Sequence, residues 1–259
     1  MDDVDYARRF EVEHAHYTED LDFWRGAARR LGSPVLDLGS ATGRVARALA
    51  RDGAEVWALD GSAAMLDQLA HGLESEPPEV RARIHTVRAD LRDFALDRRF
   101  PLILIAMNTL QALTEPEDRL ACLRTVRRHL AAGGELVFDV ALPDAEEILG
   151  AIGVAQPSGS FRDEASGTTV LHTGWYEAFD SGTGTLEYTM RVEDRSDDGR
   201  RAVRLRRHMV HVFPPDELHA LLARAGLSSV QAMGDFGCGP LWPGSERQIH
   251  RCVAAEDSA

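Results

Sequence analysis

Residues 34–61 read PVLDLGSATGRVARALARDGAEVWALDG. A short apolar run, Val35 to Leu38, is cut off by Gly39. The following TGRVARALARDG sets Val45, Ala46, Leu49 and Ala50 on one helical face and stops at Gly53. A second apolar run, AEVWALD, ends in Asp60. The order strand, glycine turn, helix, strand, acid is the outline of a nucleotide-binding α/β unit. The glycines narrow the ligand. A dinucleotide site requires G-x-G-x-x-G, but Ala41 and Arg44 stand where the second and third glycines belong. A phosphate loop requires Gly-Lys followed by Ser or Thr, whereas Gly43 is followed by Arg44 and Val45. Neither phosphate signature is met.

Working outward, SAAMLDQLAHGL (62–73) opens on a good N-cap, Ser62, and repeats Met65, Leu66, Leu69 and Leu73 at helical spacing. ARIHTVRAD (82–90) and FPLILIAMN (100–108) read as the third and fourth strands. EPEDRLACLRTVRRHLAAGG (115–134) reads as a helix, with Pro116 and two acids at its start and Gly133-Gly134 at its end. GELVFDV (134–140) reads as a fifth strand. Apolar strands alternating with helices predict a mostly parallel, doubly wound sheet covered on both faces. Ahead of it, residues 5–31 carry Phe10, Tyr17, Leu21, Phe23 and Trp24 among charges and read as one or two amphipathic helices.

The pattern changes after Pro143. TTVLHTGWYEAFD, GTLEYTMRVEDR and RAVRLRRHMVHVF, over about 168–213, are separated by the turn-forming SGTG and SDDGR. They predict an antiparallel meander inserted into the α/β pattern. PPDELHALLARAG returns to helix, and two short strands near 228–236 and 247–254 flank the loop GCGPLWPGSER. The expected organisation is therefore an N-terminal helical lid (1–31), a Rossmann-like core (32–142), an antiparallel cap (143–213) and a helix with a strand pair completing the core (214–259).

The 259 residues are enough for one large domain, or a core with an appended cap. The formal net charge of -13 repels phosphate backbones and anionic membranes, so nucleic acid and membrane are not expected partners. The three cysteines, Cys122, Cys238 and Cys252, lie far apart and suggest neither a metal site nor a disulfide framework. The acidic start, MDDVDYARRF, has no apolar stretch of a signal peptide. A cytoplasmic protein with reduced thiols is expected.

Three acids define the ligand. Asp37 precedes the glycine turn. Asp60 lies about 20 residues beyond Gly39, the separation of a ribose-binding acid, and its charge repels a 2′-phosphate. Asp90 ends the third strand, where a carboxylate can accept from an adenine amino group. A pocket that is acidic, poor in phosphate donors and suited to adenosine matches a ligand with a cationic centre: S-adenosylmethionine.

The motifs VLDLGSATGR, LDGSAAML, VRADLRDF, and FPLILIAMNTLQAL through LAAGGELVFDV, taken in order, resemble the class I S-adenosylmethionine-dependent methyltransferases over about residues 34–141. AHYTEDLDFW and the meander look like the bacterial small-molecule branch, which includes amino-sugar N-methyltransferases. Ser40, where the turn often carries a smaller residue or cysteine, is a departure. The resemblance implies that Asp37, Gly39 and Ala41 hold the methionine end of the cofactor. It places Asp60 on the ribose with Gly61 and Met65 beside it, and Asp90 and Leu91 along the adenine. Met107 and Asn108 fall near the sulfonium and the incoming nucleophile, and Tyr17 folds over the cofactor.

The expected reaction is in-line methyl transfer to an oxygen or nitrogen of a small molecule. His208 and His211, on opposite faces of the last meander strand, are candidate bases, with Asn108 as the third acceptor-side candidate. The competing reading is a non-catalytic cofactor-binding module that acts through a protein partner. A second copy of the chain is a candidate partner, as a homodimer.

Overall fold

The computed structural model describes residues 3–164 and 166–255. The first two residues of the expected lid and the last four of the C-terminal segment therefore lie outside the described residues. Two helices lead the chain, α1 (Asp3–His14) and α2 (Leu21–Leu31). There follow β1 (Val35–Leu38), α3 (Arg44–Arg51), β2 (Val56–Asp60), α4 (Ala63–Leu73), a single turn α5 (Pro78–Arg81), β3 (Ile84–Arg88) and β4 (Phe100–Ile105). A 3-10 turn (Thr109–Ala112) precedes α6 (Pro116–His129), β5 (Leu130–Ala141) and α7 (Ala145–Gly150). Four strands come next, β6 (Gln156–Asp163), β7 (Thr168–Asp180), β8 (Thr185–Ser196) and β9 (Arg201–His211). The chain ends in α8 (Pro215–Arg224), β10 (Leu227–Met233) and β11 (Arg247–Ala254).

The chain divides into two compact units. One takes in the residues up to Leu110, Glu115–Ala141 and those from Pro214 on; the other comprises Gln111–Thr114 and Leu142–Phe213.

The first unit holds a seven-stranded sheet in the order β10-β11-β5-β4-β1-β2-β3. β1 to β5 pair in parallel, and β11 runs antiparallel between β5 and β10. The order reverses between β1 and β4, so a crevice opens beyond their carboxyl ends, where doubly wound sheets place ligands. β1 is buried at all four residues because it is an interior strand, paired with β2 on one side and β4 on the other. Val35, Leu102, Leu104 and Val137 pack in one apolar cluster with Trp24 of α2 and with Val45, Ala46 and Leu49 of α3.

The N-terminal helices are part of this unit. Trp24 is fully buried, so α2 is core and not an appendage. Arg30 of α2 and Arg251 of β11 both form bidentate hydrogen bonds to buried Glu135 in the middle of β5. Glu11 of α1 accepts from Arg47 of α3 and Gln68 of α4.

Two expectations are corrected. The glycine pair 133-134 does not end the helix. α6 stops at His129, and the pair sits inside β5, where the pairing with β4 shifts between Phe100 and Leu102. Gly133 is left-handed there, and a Cβ on Gly134 would lie 2.8 Å from the Phe100 carbonyl oxygen. The pair is thus a bulge that needs glycine. The antiparallel sheet also has four strands in the order β6-β7-β8-β9, one more than the three segments expected. β6 is exposed along most of its length, which deprives it of the apolar alternation that marks a strand. Within this second unit Ile148, Leu186 and Val212 form the buried cluster, with Tyr176, Phe179 and Val210 against it.

Candidate functional site

The turn after β1 is shaped by close approach. The amides of Gly39 and Ser40 both donate to the Leu59 carbonyl (2.8 and 3.0 Å), folding the turn onto the end of β2. A Cβ on Gly39 would lie 2.4 Å from Thr109 Cγ2, and one on Gly43 would lie 2.3 Å from Leu69 Cδ1. Both glycines also have positive φ, so neither tolerates a side chain. Ala41 is held at φ 47°, a conformation alanine adopts at a cost. Its amide donates to Asp60 Oδ2 at 2.9 Å. Asp60 Oδ1 accepts from the Ser62 amide at 2.8 Å. One carboxylate thereby spans the turns after β1 and β2, and each of its oxygens keeps a lone pair for a ligand hydroxyl. Gly61 beside it is exposed, and Met65, whose amide is capped by Ser62 Oγ, is buried.

A second strained turn follows β4. Met107 and Asn108 are consecutive left-handed residues, at φ 56° and 60°. The Met107 amide donates to Asp139 Oδ1 on β5 at 2.8 Å, which fixes the turn. Asn108 Oδ1 is buried and has no hydrogen-bond partner, as is Ser40 Oγ in the first turn. Buried acceptors without donors are costly, and two at one end of a sheet mark a place where a ligand supplies the missing partners.

Asp37 and Asp139 stand two residues beyond Val35 and Val137, so alternation turns them to the same side of the sheet, toward α2 and α3. Both are almost completely buried. Burial pushes Asp37 up to about 7 against the opposing pull of Arg44, with Asp60 and Asp20 adding to the rise. Burial likewise raises Asp139 to about 6 against Arg247. These are carboxyls that a cationic ligand would return to the charged form.

Two arginines complete this end of the unit. Arg44 binds Asp20 through both terminal nitrogens (2.6 Å each) and donates to the Tyr17 carbonyl at 2.9 Å. The second Asp20 oxygen also accepts from Trp24 Nε1 at 2.9 Å. The guanidinium of Arg44 lies 4.9 Å from the centre of the Tyr17 ring. Arg247 lies 3.6 Å from Asp139 Oδ2 and packs over the Phe236 ring at 4.6 Å, and its charge acts on the Tyr17 phenol. Burial raises the Tyr17 phenol above its ordinary value, against the pull of Arg247.

Tyr17, Asp37, Gly39, Ala41, Asp60, Gly61, Met65, Met107 and Asn108 thus all belong to the first unit, at or beside the carboxyl ends of β1, β2 and β4. Asp90 and Leu91 follow β3. The Asp90 carboxylate is engaged within its own turn by the Arg92 amide and guanidinium, which hold it down at about 2. The two histidines belong to the second unit. His208 pairs across from Tyr188 and stacks on it at 4.8 Å. Arg206 is on the same face of β9, and His211 is on the other. His211 is buried, edge-on to Phe213 at 4.5 Å, and a Cβ on Gly184 would lie 2.7 Å from its ring. Among the described residues no cluster of His, Cys, Asp and Glu could hold a metal ion.

Sequence reasoning missed Asp20, Asp139 and Arg247, and took Arg44 only as a missing glycine. The lone acid inside the apolar run VFDV was a usable signal for Asp139. Nothing local marked Arg247.

Residues 35–134 match the family described as a methyltransferase domain. A curated relative, the cypemycin N-terminal methyltransferase of a Streptomyces species, is 36% identical over 121 residues, 46% of this chain and 47% of the relative. The chain therefore spans about half the length of that relative. Among solved structures, the CcbJ methyltransferase of Streptomyces caelestis is similar at 26% identity and a TM-score of 0.75, over 92% of this chain and 96% of that one. The amino pentose methyltransferase CalS10 of Micromonospora echinaspora, solved with bound SAM, shares the fold at 20% identity and a TM-score of 0.71, over 96% of both chains.

Proposed function

With residues 35–134 a methyltransferase domain as the premise, we propose that the chain is an S-adenosylmethionine-dependent methyltransferase acting on a nitrogen nucleophile of a small molecule. The observation that carries the reading is Asp60, which joins the glycine turn to the end of β2 and offers both oxygens to a ribose. The residues present fit the cofactor: Asp37 and Asp139 answer a cationic centre, and the orphaned Asn108 Oδ1 and Ser40 Oγ lack donors. A nitrogen acceptor is favoured over oxygen by the cypemycin relative, whose name specifies methylation of an amino terminus.

When bound, the cofactor supplies a methyl group on a sulfonium, and transfer is an in-line displacement that leaves a neutral thioether. The leaving group needs no proton, so the protein's part is alignment and exclusion of water. Asp60 holds the ribose, with Gly61 and Met65 beside it. Asp37, with the backbone of Gly39 and Ala41, holds the methionine end. Asp90 and Leu91 border the adenine, Tyr17 lies over the cofactor, and Met107 and Asn108 border the reacting centre. An amine reacts in its neutral form, so a base is needed only to take its proton. His208 and His211, from the antiparallel cap, are the side chains proposed for the acceptor side.

Titration of S-adenosylhomocysteine by calorimetry tests the assignment. Asp60→Ala should weaken binding about thirtyfold, the loss of roughly 2 kcal/mol of charge-assisted hydrogen bonding. Alanine at whichever of His208 and His211, on opposite faces of β9, faces the acceptor should leave that affinity intact and lower methyl transfer. Unchanged affinity in Asp60→Ala, or preferential binding of NAD by the wild type, would sink the reading.

A further inference from the structure

We propose that Arg247 is a positioning residue that ties the N-terminal segment to the strained turn after β4. The inference rests on the reading that this end of the sheet holds S-adenosylmethionine.

Arg247 is the first residue of β11, opposite Ala141 at the end of β5. That register brings its guanidinium to the carboxyl ends of the parallel strands from a strand that runs the other way. Three groups meet it there. Asp139 Oδ2 lies 3.6 Å away, the Phe236 ring lies beneath it at 4.6 Å, and its charge acts on the nearby Tyr17 phenol. Each leads onward. Asp139 uses its other oxygen to hold the Met107 amide at 2.8 Å, and so the left-handed pair Met107–Asn108. Phe236 packs on Phe23 and Trp24 of α2, with ring centres 5.6 and 6.1 Å away. Tyr17 is the midpoint of the segment between α1 and α2. It is gripped from the other side by Arg44, which takes its carbonyl and lies against its ring.

Tyr17 therefore lies between two arginines, one opening α3 directly after the glycine turn and one opening β11. Arg44 is already committed to Asp20 in a bidentate pair, so it holds its end whatever happens at the other. Arg247 has no bidentate carboxylate partner in the structure; its ion pair to Asp139 is long. Its planar guanidinium serves three directions at once, which an ammonium cannot do equally well. Removing it takes a neighbouring charge away from the phenol and leaves Asp139 buried without its cation. The Met107–Asn108 turn, held left-handed at a conformational cost, then depends on a less stable acceptor.

The test compares the wild type with Arg247→Met, Arg247→Lys and Tyr17→Phe, by S-adenosylhomocysteine titration and by hydrogen exchange of the ligand-free protein. Arg247→Met should lower affinity about tenfold or more, the loss expected of a hydrogen bond to a charged group. It should also speed exchange both in residues 15–20 and at the Met107 and Asn108 amides. Tyr17→Phe should loosen 15–20 and leave the Met107 amide protected. Arg247→Lys should restore part of both effects, since it keeps the charge and loses the fork. If wild type binds the ligand and Arg247→Met matches it in affinity and in exchange at both places, the positioning role is wrong while the methyltransferase reading stands. If wild type does not bind, that reading fails, and exchange alone decides whether the two segments are coupled. Faster exchange at only one of them in Arg247→Met would also overturn the link.

Discussion

Asp37 sits in the middle of the sheet, between Ala58 of β2 and Leu104 of β4, and almost no solvent reaches it. Its burial keeps the carboxyl protonated up to about 7, far above the ordinary 3.8. In that interval the unfolded chain has released a proton that the folded chain retains. The stability due to this group is whole below about pH 4 and is lost as pH rises through about 7. Asp37→Asn removes the titration while keeping the shape. The variant's melting temperature, relative to wild type, should therefore rise between about pH 4.5 and about pH 8, by the several degrees that one to three kcal/mol represents in a chain of this size (~2–4 °C per kcal/mol). A difference that does not change with pH would show that Asp37 is charged throughout. Asp37 and Asp60 were both legible in the sequence, because a strand-end acid and its spacing from a glycine are local signals. The charges that balance the site were not. Arg247 meets Asp139 only because β11 folds back antiparallel onto β5, a pairing of residues far apart in the chain.

The elements show the same division. β1, β2, β4 and β5 and the helices between them follow from apolar runs and caps, since these strands are largely buried on both faces and the helices on one. The exceptions are the elements whose environment is not written in their own residues. β6 is a polar edge strand recruited by pairing with β7, and the glycines at 133 and 134 serve a bulge where they read as a helix stop. In α2, Trp24 is buried in the core and Arg30 is locked to Glu135 at 2.6 and 2.9 Å. Arg251 takes the same carboxylate at 2.7 and 2.8 Å, so a single buried acid joins α2, β5 and β11. Although Arg251 keeps its hydrogen bond to Gln231, Glu135→Ala leaves two arginines without their shared carboxylate. Both are partly exposed, which tempers the penalty to about 1–3 kcal/mol. Urea unfolding should show a lower midpoint, with Glu135→Gln falling between the two. A midpoint equal to wild type in Glu135→Ala would mean that α2 is held by its apolar face alone.

At the scale of the whole molecule the net charge is -13, and at one end of the first unit four carboxyls, Asp20, Asp37, Asp60 and Asp139, face two arginines, Arg44 and Arg247, with Asp37 only partly ionised near neutral pH. A field of this sign distinguishes the proposed cofactor from its product. S-adenosylmethionine carries one more positive charge than S-adenosylhomocysteine, and the two are otherwise alike apart from the methyl group. The long-range part of the attraction should favour the cofactor and vanish once the charge is transferred away, which helps the product leave. Salt isolates that part. Raising ionic strength from about 20 mM to about 500 mM shortens the screening length from roughly 20 Å to about 4 Å. Contacts inside the buried site are screened far less, so the product should bind with nearly constant affinity across the range. The cofactor should weaken several-fold more than the product does, with most of the change in its association rate. Stopped-flow fluorescence with both ligands at both salt concentrations measures the difference. Equal salt dependence for the two would show that the acids are neutralised by the arginines and by their own protons before any ligand arrives, and that discrimination resides in direct contact with the sulfonium.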